Sequence, residues 1–444
     1  FRNILLGQQF YKQEFGVQSN DIFLPDCFGF SYTLPTIAAH AGLIGFSTQK
    51  LQWRKHPFYG EEKVPFSIGL WQGIDGSRVM AALNANDYNT RWDGSDMSQD
   101  KGILALAQKS ADRIAYRYYG VGDRGGSPTI PTLVSLEKGI HGDGPVEIVS
   151  ARAGQLYEEY YPFDQHPELP VYDGELLMDV HATGCYTSQA AMKRFNRRNE
   201  QLADAAERAS VIADWLGAMT YPAEELRTEW RRFIWHQFHD DLTGTSIPRA
   251  YTFSWNDELI AQSKFANLAA AASGGVARGM DTYVKGIPVV IYNPVGERRR
   301  EVVEVVVPAN ERPRGVSAIS PRGERTPAQV LKYEDGKLHL AFIAEVDPVG
   351  YAIYDLRMQG KTTNSALRVS ENTLENSVYR VCLNTDGDIS SIYDKRFGRE
   401  LVQAGKAFRL AMFTENKSTD WPAWEILKET IDRAPESVTD DVEI

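Results

Sequence analysis

Apolar positions along the chain change period twice, and each change marks a change of architecture. Up to about residue 175, short apolar runs alternate with helical stretches. Phe23 and Leu24 end one run, Pro25, Asp26 and Gly29 form a loop, and Leu34, Ile37, Ala38 and Ala41 give a short helix stopped by Gly42. Leu43 to Ser47 reads as the next strand. Strand, loop, helix, strand is the pattern of a parallel crossover. It puts Asp26 at the carboxyl end of a strand, where open parallel sheets bind their ligands. Phe66 to Trp71 and Val79 to Leu83 flank Asp75-Gly76, a hairpin turn. Pro145 to Ser150 is a further strand candidate, ahead of a helix through Leu156 and Tyr160. The chain also opens within a helix-like stretch at Phe1.

From about Thr187 to Ala277 the period is helical. Met192, Phe195, Leu202, Ala206, Ala209, Ala213 and Leu216 recur at steps of three, four or seven, and Gly217 ends the run. A second helix starts at Pro222, Glu224 and Glu225, and a third covers about Asn256 to Ala272. Three helices with short links predict a bundle whose apolar stripes are core. From Ile287 onward the pattern is β. Ile287 to Tyr292, Glu301 to Val307, Lys337 to Ala344, Tyr351 to Leu356 and Val378 to Leu383 are strand-like, and Val302, Val303, Val305, Val306 and Val307 make an apolar run suited to a sandwich core. The predicted fold is therefore multidomain, α/β then α then β. It comprises a partial parallel α/β sheet domain over 1–180, a three-helix bundle over 181–284 and a β-sandwich-like region over 285–444.

The second helix carries the densest chemistry. Leu226, Trp230, Phe233, Ile234 and Gln237 mark one stripe, and WHQFHDDLTGTSIP follows from Trp235 to Pro248, with Gly244 and Pro248 punctuating its end. On a helical wheel His239 lies nearly opposite the stripe, on the face of Trp235. His239, Asp240 and Asp241 there suit a metal or a polar substrate. From spacing alone they suit better a solvated helix end with a histidine capping a carbonyl. His236 and His239, three apart, have the spacing to chelate a metal together.

Composition narrows the field. A net charge of -11 and a pI near 5.4 argue against general nucleic-acid or anionic-membrane partners. No run of 18 or more apolar residues occurs, so no membrane-spanning helix is expected. Cys27, Cys185 and Cys382 are too scattered for a disulfide framework or a cysteine zinc site. With no signal-like start, an acidic end and no initiator Met, the chain reads as an internal piece of a longer protein.

Taken together, the motifs resemble one family. HQFHDDLTGTSIP (236–248) closely resembles the element that follows the helical domain of glycoside hydrolase family 38 α-mannosidases, and LPDCFGFSYTLPTI (24–37) resembles that family's nucleophile loop. TQKLQW, GDRGGSPT and GELLMDVHATGCYTSQAAMKRFNRR come behind it in the family's order, and VIYNPV, TLENSVYRV, DISSIYDK and DWPAW match in the β part. Any one of these is weak, but their ordered conjunction is specific. The resemblance implies a retaining exo-α-mannosidase that takes terminal mannose from α-mannoside glycans with a catalytic zinc ion.

The resemblance also implies roles. Asp26 is the nucleophile and a zinc ligand, His239 a second zinc ligand, and Asp240 a hydrogen-bond partner of the bound mannose. Lys50 steadies Asp26 or a substrate hydroxyl. Taken locally, Asp26 reads as an Asx-turn residue and Lys50 as a surface lysine. Asp179 is the candidate general acid, with Asp173, Glu175 and His181 as neighbours that exchange roles if the register slips; His181 is assigned to substrate binding. Asp123 lies in the glycine-rich loop of Gly120, Gly122, Gly125 and Gly126, which lacks the lysine of a phosphate loop. The chemistry fits these residue types. A retaining glycosidase needs an attacking carboxylate and an acid of raised pKa, and imidazole with carboxylate suits Zn²⁺.

The family's other two zinc ligands come from a His-x-Asp motif upstream of the nucleophile, and no such motif occurs in the 25 residues before Asp26. Two of four expected ligands are thus present, and the chain alone is expected to bind zinc weakly and turn over little. A non-catalytic mannoside-binding homologue is the alternative. A zinc-dependent polysaccharide deacetylase is disfavoured by the helical and long β regions. The HQFHDD form is similar to that of bacterial glycan-degrading enzymes, which leaves periplasm and cytoplasm open, and a homo-oligomer is compatible.

Overall fold

The computed structural model describes all residues except 53–63, 86, 124, 179–180, 327, 360–365, 419 and 438–444. The chain forms two compact units. One comprises residues 1–193, 234–254 and 419–425, the other 194–233, 255–418 and 426–444.

In the first unit helix α1 (Arg2–Phe15) precedes a five-stranded sheet of β1 (Asp21–Phe23), β2 (Gly45–Ser47), β3 (Ile68–Gln72), β4 (Arg78–Ala82) and β5 (Val171–Asp173), ordered β1-β2-β4-β3-β5. Helix α2 (Leu34–His40) crosses from β1 to β2, which pair in parallel, and β4 continues the parallel set. The sheet is nonetheless mixed, because β3 runs antiparallel to β4. The cause is the hairpin. Gly76 takes φ +85, open to glycine at little cost, and Asp75 Oδ1 accepts the Ser77 N–H at 3.0 Å.

Period-two alternation fills both faces of this sheet. Phe46, Trp71, Val79 and Ala81 join Phe30, Ala38 and Leu176 on one side. Ile68, Leu70 and Met80 meet Leu156, Tyr157 and Tyr160 on the other. Tyr157 belongs to α5 (Gln155–Tyr160), the last of three shorter helices after α3 (Lys101–Lys109) and α4 (Ile130–Ile140). Its ring lies so close to β2 that a Cβ on Gly45 would fall 1.9 Å from it. Asp100 and Thr129 cap α3 and α4 by accepting the N–H groups of Ile103 and Thr132. Pro145 to Ser150 forms no strand. Its half-buried Val146 and Ile148 face the α4 region, where Ile148 lies beside Gly139, and Val146 N–H bonds Ser98 O at 3.3 Å. The alternation is real, but its neighbours there are helical and offer no ladder.

Three long helices follow, α6 (Ala190–Trp215), α7 (Ala223–Trp235) and α8 (Pro248–Gly279). Pro248 opens α8 rather than closing α7, as suits a residue with no N–H to give, and α8 is longer than its apolar pattern indicates. α7 stops at Trp235, so His239 lies in the turn beyond it and not on the helical wheel. Within the second unit Ala209 and Ala213 of α6 pack with Ala272 and Val276 of α8, and Asn199 Nδ2 donates to Glu258 O at 2.9 Å. Trp230 of α7 meets Phe265 of α8 edge-on at 5.8 Å.

The rest of that unit is antiparallel β, apart from a short helix at Lys428–Ile431. One sheet, β10-β11-β7, joins β7 (Arg299–Pro308), β10 (Ala328–Glu334) and β11 (Lys337–Val346). A second, β6-β12-β8-β9, joins β6 (Ile287–Asn293), β8 (Ser317–Ile319), β9 (Arg325–Thr326) and β12 (Gly350–Arg357). Both line one core of Val307, Leu338, Leu340, Phe342, Tyr354 and Leu356. The valine run splits across the strand. Val303 and Val305 pack on that core and Val307 is buried, whereas Val302 and Val306 are exposed. A third sheet runs β13 (Arg368–Ser370), β14 (Thr373–Glu375), β15 (Tyr379–Leu383), β16 (Ile389–Asp394) and β17 (Arg399–Glu400) in sequence order. Among the described residues no helix is long and apolar enough to cross a membrane.

Two glycines test this packing in opposite directions. Gly45→Ala forces a methyl into the Tyr157 ring and is expected to cost at least about 1–3 kcal/mol in denaturant unfolding. Gly7→Ala lies in α1 with nothing within 4 Å of the new Cβ, and is expected to gain about 0.5–1 kcal/mol from backbone entropy. Equal effects of the two substitutions would contradict the placement of α5 on β2.

Candidate functional site

Three neighbouring parallel strands deliver side chains to one end of the sheet. Asp26 follows β1, Lys50 follows β2 and Tyr88 follows β4, so all three stand beyond carboxyl ends, where such sheets gather ligands. The ladder continues into the loops, with Leu24 N–H bonding Ser47 O and Thr48 N–H bonding Ala82 O, each at 3.1 Å. The Asp26 loop is then turned by Gly29, whose φ of +105 lets Phe30 N–H reach Leu176 O at 2.7 Å.

The Asp26 carboxylate has a partner on each oxygen. Lys50 Nζ donates to Oδ1, Tyr88 Oη donates to Oδ2 at 3.4 Å, and His239 Nε2 stands 3.3 Å from Oδ2. Burial alone would push this carboxyl up, but hydrogen bonds from His239 and Lys50 and the charge of Lys50 outweigh it and hold it below the usual range. The group is therefore ionised at neutral pH, as a nucleophile or a metal ligand must be. Lys50 is nearly inaccessible and lies 5.4 Å from the centre of the Phe28 ring, which excludes the surface reading. The neighbouring Cys27 thiol is pushed up to about 12 by burial and then by the charges of Asp26 and Asp240, so it stays protonated.

The other half of the site comes from the turn between α7 and α8. Asp240 Oδ2 is 3.4 Å from His239 Nε2, and Asp240 Oδ1 accepts from Thr245 Oγ1 at 2.8 Å. The two histidines of the motif go separate ways: His236 Nδ1 pairs with Asp241 at 2.6 Å while His239 faces Asp26. Gly244 closes the turn with φ +87, and a Cβ there would sit 2.6 Å from Ser188 O, itself bonded by Lys193 Nζ.

His181 is buried, with Nδ1 3.2 Å from Glu425 Oε1 and its ring edge-on to Trp421. Its segment contributes Met178, Ala182 and Cys185 to a cluster with Phe28, so it lines the loop that carries Asp26. The stretch 420–425 joins there too, through Gly184 N–H to Trp424 O at 2.7 Å and Ser188 Oγ to Ala423 O at 2.6 Å. Asp179 falls outside the described residues. Asp173 is exposed and accepts from Tyr32 Oη and from Gln72 Nε2, and Glu175 is exposed.

Tyr88 was not singled out from the sequence. Its signal is positional, a tyrosine a few residues past the carboxyl end of a buried strand. The glycine-rich loop now has a physical account. Gly122 lies against the Tyr88 ring, where a Cβ would fall 1.9 Å away, and the Asp123 charge helps raise the Tyr88 phenol after burial and Asp26.

The fit to zinc is partial and specific. Two ligands on one tetrahedral zinc with bonds of about 2.0–2.1 Å stand about 3.3–3.4 Å apart, and Asp26 Oδ2 and His239 Nε2 are 3.3 Å apart. A carboxylate oxygen and an imidazole nitrogen are also the donor types zinc takes. Among the described residues no group of three or more His, Cys, Asp or Glu is placed to hold a metal. These residues therefore offer one edge of such a site.

Comparison with known proteins covers most of the chain. Residues 1–175 match the profile "Glycosyl hydrolases family 38 N-terminal domain", 180–268 "Alpha mannosidase middle domain", and 374–444 "Glycosyl hydrolases family 38 C-terminal domain". Alpha-mannosidase 2C1 of Mus musculus is 28% identical over 435 residues, covering 96% of this chain and 38% of that protein. Alpha-mannosidase G of Dictyostelium discoideum is 34% identical over 253 residues, 56% of this chain and 22% of that protein. The chain thus spans well under half the length of these relatives. A crystal structure of an alpha-mannosidase from Enterococcus faecalis V583 shares the fold, with a TM-score of 0.64 at 20% identity over 92% of this chain and 51% of that one.

The turn that carries His239 is testable at Gly244. Gly244→Ala must adopt a left-handed backbone and displace Ser188 O. It is expected to lose on the order of 2–3 kcal/mol in denaturant unfolding. An unchanged midpoint would mean the turn is not held against Ser188.

Proposed function

The chain belongs to glycoside hydrolase family 38, and on that footing we propose that it carries the nucleophile and part of the zinc site of a retaining exo-α-mannosidase acting on terminal α-mannosyl residues. What carries the reading is the meeting of Asp26 and His239 at 3.3 Å. They come from a strand end and an inter-helix turn far apart in sequence. The names of the relatives support the same reading.

In this mechanism the Asp26 carboxylate attacks the anomeric carbon as the glycosidic bond breaks, forming a covalent glycosyl ester that water then cleaves with retention. Lys50 and Tyr88 hold the carboxylate oxygens and set its aim. Asp240, with Thr245 on one oxygen and the other turned towards His239, offers an acceptor to a sugar hydroxyl. Asp179 is the candidate for protonating the departing oxygen, then taking the proton from water. Asp26 and His239 would hold zinc, which when bound supplies charge stabilisation and a template for the sugar hydroxyls. Phe28 and Phe238 flank the His239 ring, with ring centres 6.2 and 4.3 Å away.

The test is hydrolysis of an aryl α-mannoside by the intact protein. Asp26→Asn is expected to lower kcat/KM by on the order of 10³-fold or more in a protein that still folds but melts at a lower temperature, because buried Lys50 loses the charge of Asp26. A covalently trapped 2-fluoro-mannosyl label in the parent should map to Asp26. Substrate bound but never cleaved would favour the non-catalytic mannoside-binding alternative. The 444 residues by themselves are expected to hold less than one zinc per chain by elemental analysis. Stoichiometric zinc with turnover in those 444 residues would refute the partial-site reading.

A further inference from the structure

We infer that His236 and Asp241 form a positioning pair that fixes the aim of His239 and Asp240, an inference that rests on the mannosidase reading for its consequence but not for its geometry. The four residues share one turn. α7 has ended at Trp235, so no continuous helix holds them. The backbone is tied by Asp241 N–H to Phe238 O at 3.0 Å and Leu242 N–H to Phe238 O at 3.1 Å.

Side-chain bonds complete the frame from both sides. Both His236 and Asp241 are buried, and Nδ1 stands 2.6 Å from Oδ2. An ionised carboxylate only accepts, so Nδ1 carries the hydrogen. The second oxygen, Oδ1, accepts from Ser254 Oγ at 2.9 Å, and Ser254 lies in the second turn of α8. One carboxylate therefore ties the end of α7 to the start of α8 across the turn. Tyr251 adds a second tie, accepting the Ser246 N–H at 3.0 Å and donating to Asp240 O at 3.1 Å.

The stretch thus sorts its polar side chains into two sets. His236 and Asp241 face inward and pair with each other, while His239 faces both Asp26 and Asp240. A buried carboxylate is a costly filler compared with an apolar residue. What it gives in return is direction, because two oxygens at a fixed angle set where two helix ends stand. A displacement of about 1 Å at reacting groups can cost on the order of 10²-fold in rate, so the pair acts on chemistry through the residues it holds.

The experiment uses the intact protein and the variants Asp241→Ala, Asp241→Asn and Ser254→Ala. Three quantities are read: the His239 ring signals by NMR, assigned through His239→Asn; zinc affinity by calorimetric titration; and kcat and KM on an aryl α-mannoside. Asp241→Ala is expected to move the His239 signals, weaken zinc at least ten-fold and lower kcat far more than it raises KM. Asp241→Asn, which keeps shape and one acceptor while His236 changes tautomer, is expected to stay within a few-fold of the parent. Ser254→Ala, the mildest change, covers the case in which Asp241→Ala does not fold, and is expected to shift the same signals to a smaller extent. His239 signals unmoved in both Asp241→Ala and Ser254→Ala, or in Ser254→Ala alone if the former does not fold, would overturn the inference. A parent protein that neither takes up zinc nor cleaves the mannoside would sink the mannosidase reading instead, and the NMR arm would still decide the pair.

Discussion

A half-buried carboxylate needs donors on both oxygens, and the donors around Asp26 come from three separate stretches of chain. Lys50 arrives because β2 lies beside β1, Tyr88 because β4 lies beside β2, and His239 because a turn between two helices returns to the same loop. Remove the parallel order of those strands and the lysine and tyrosine have no reason to meet the aspartate. Much of the first unit serves this convergence. Large side chains fill both faces of the sheet, and glycines stand where rings or loops press closest.

Legibility in the sequence followed the length and regularity of each element. The β1-α2-β2 crossover and the Asp75-Gly76 hairpin were readable because turn chemistry and period agreed. The hairpin also makes the sheet mixed, which the crossover alone conceals. β8, β9 and β17 are two or three residues long, and unlike the equally short β1 and β2 they have no crossover helix framing them to give them away. Pro145 to Ser150 shows the reverse failure, alternation without a partner strand. The valine run of β7 reads as uniformly core by composition, yet the pleat puts Val302 and Val306 outside.

The site divides along similar lines. The motif around His239 points to metal-capable chemistry, and the structure brings that imidazole to Asp26, an encounter between distant segments that local spacing does not disclose. Local spacing also makes His236 and His239 look equivalent, and only the turn separates them into one buried against Asp241 and one facing Asp26. Tyr88 has no motif of its own, since its contribution depends wholly on which strand it follows.

The docking of residues 420–425 onto the turn at Gly184 and Ser188 has a temporal side. These groups lie some 240 positions apart, as in the bond from Gly184 to Trp424, and closing so long a loop is an entropic burden that local contacts cannot lighten. During synthesis the first unit must wait for a stretch that leaves the ribosome long after its sheet, so its walls near Phe28 are finished last. Any attempt to excise that unit by cutting after α8 would discard the piece that seals it.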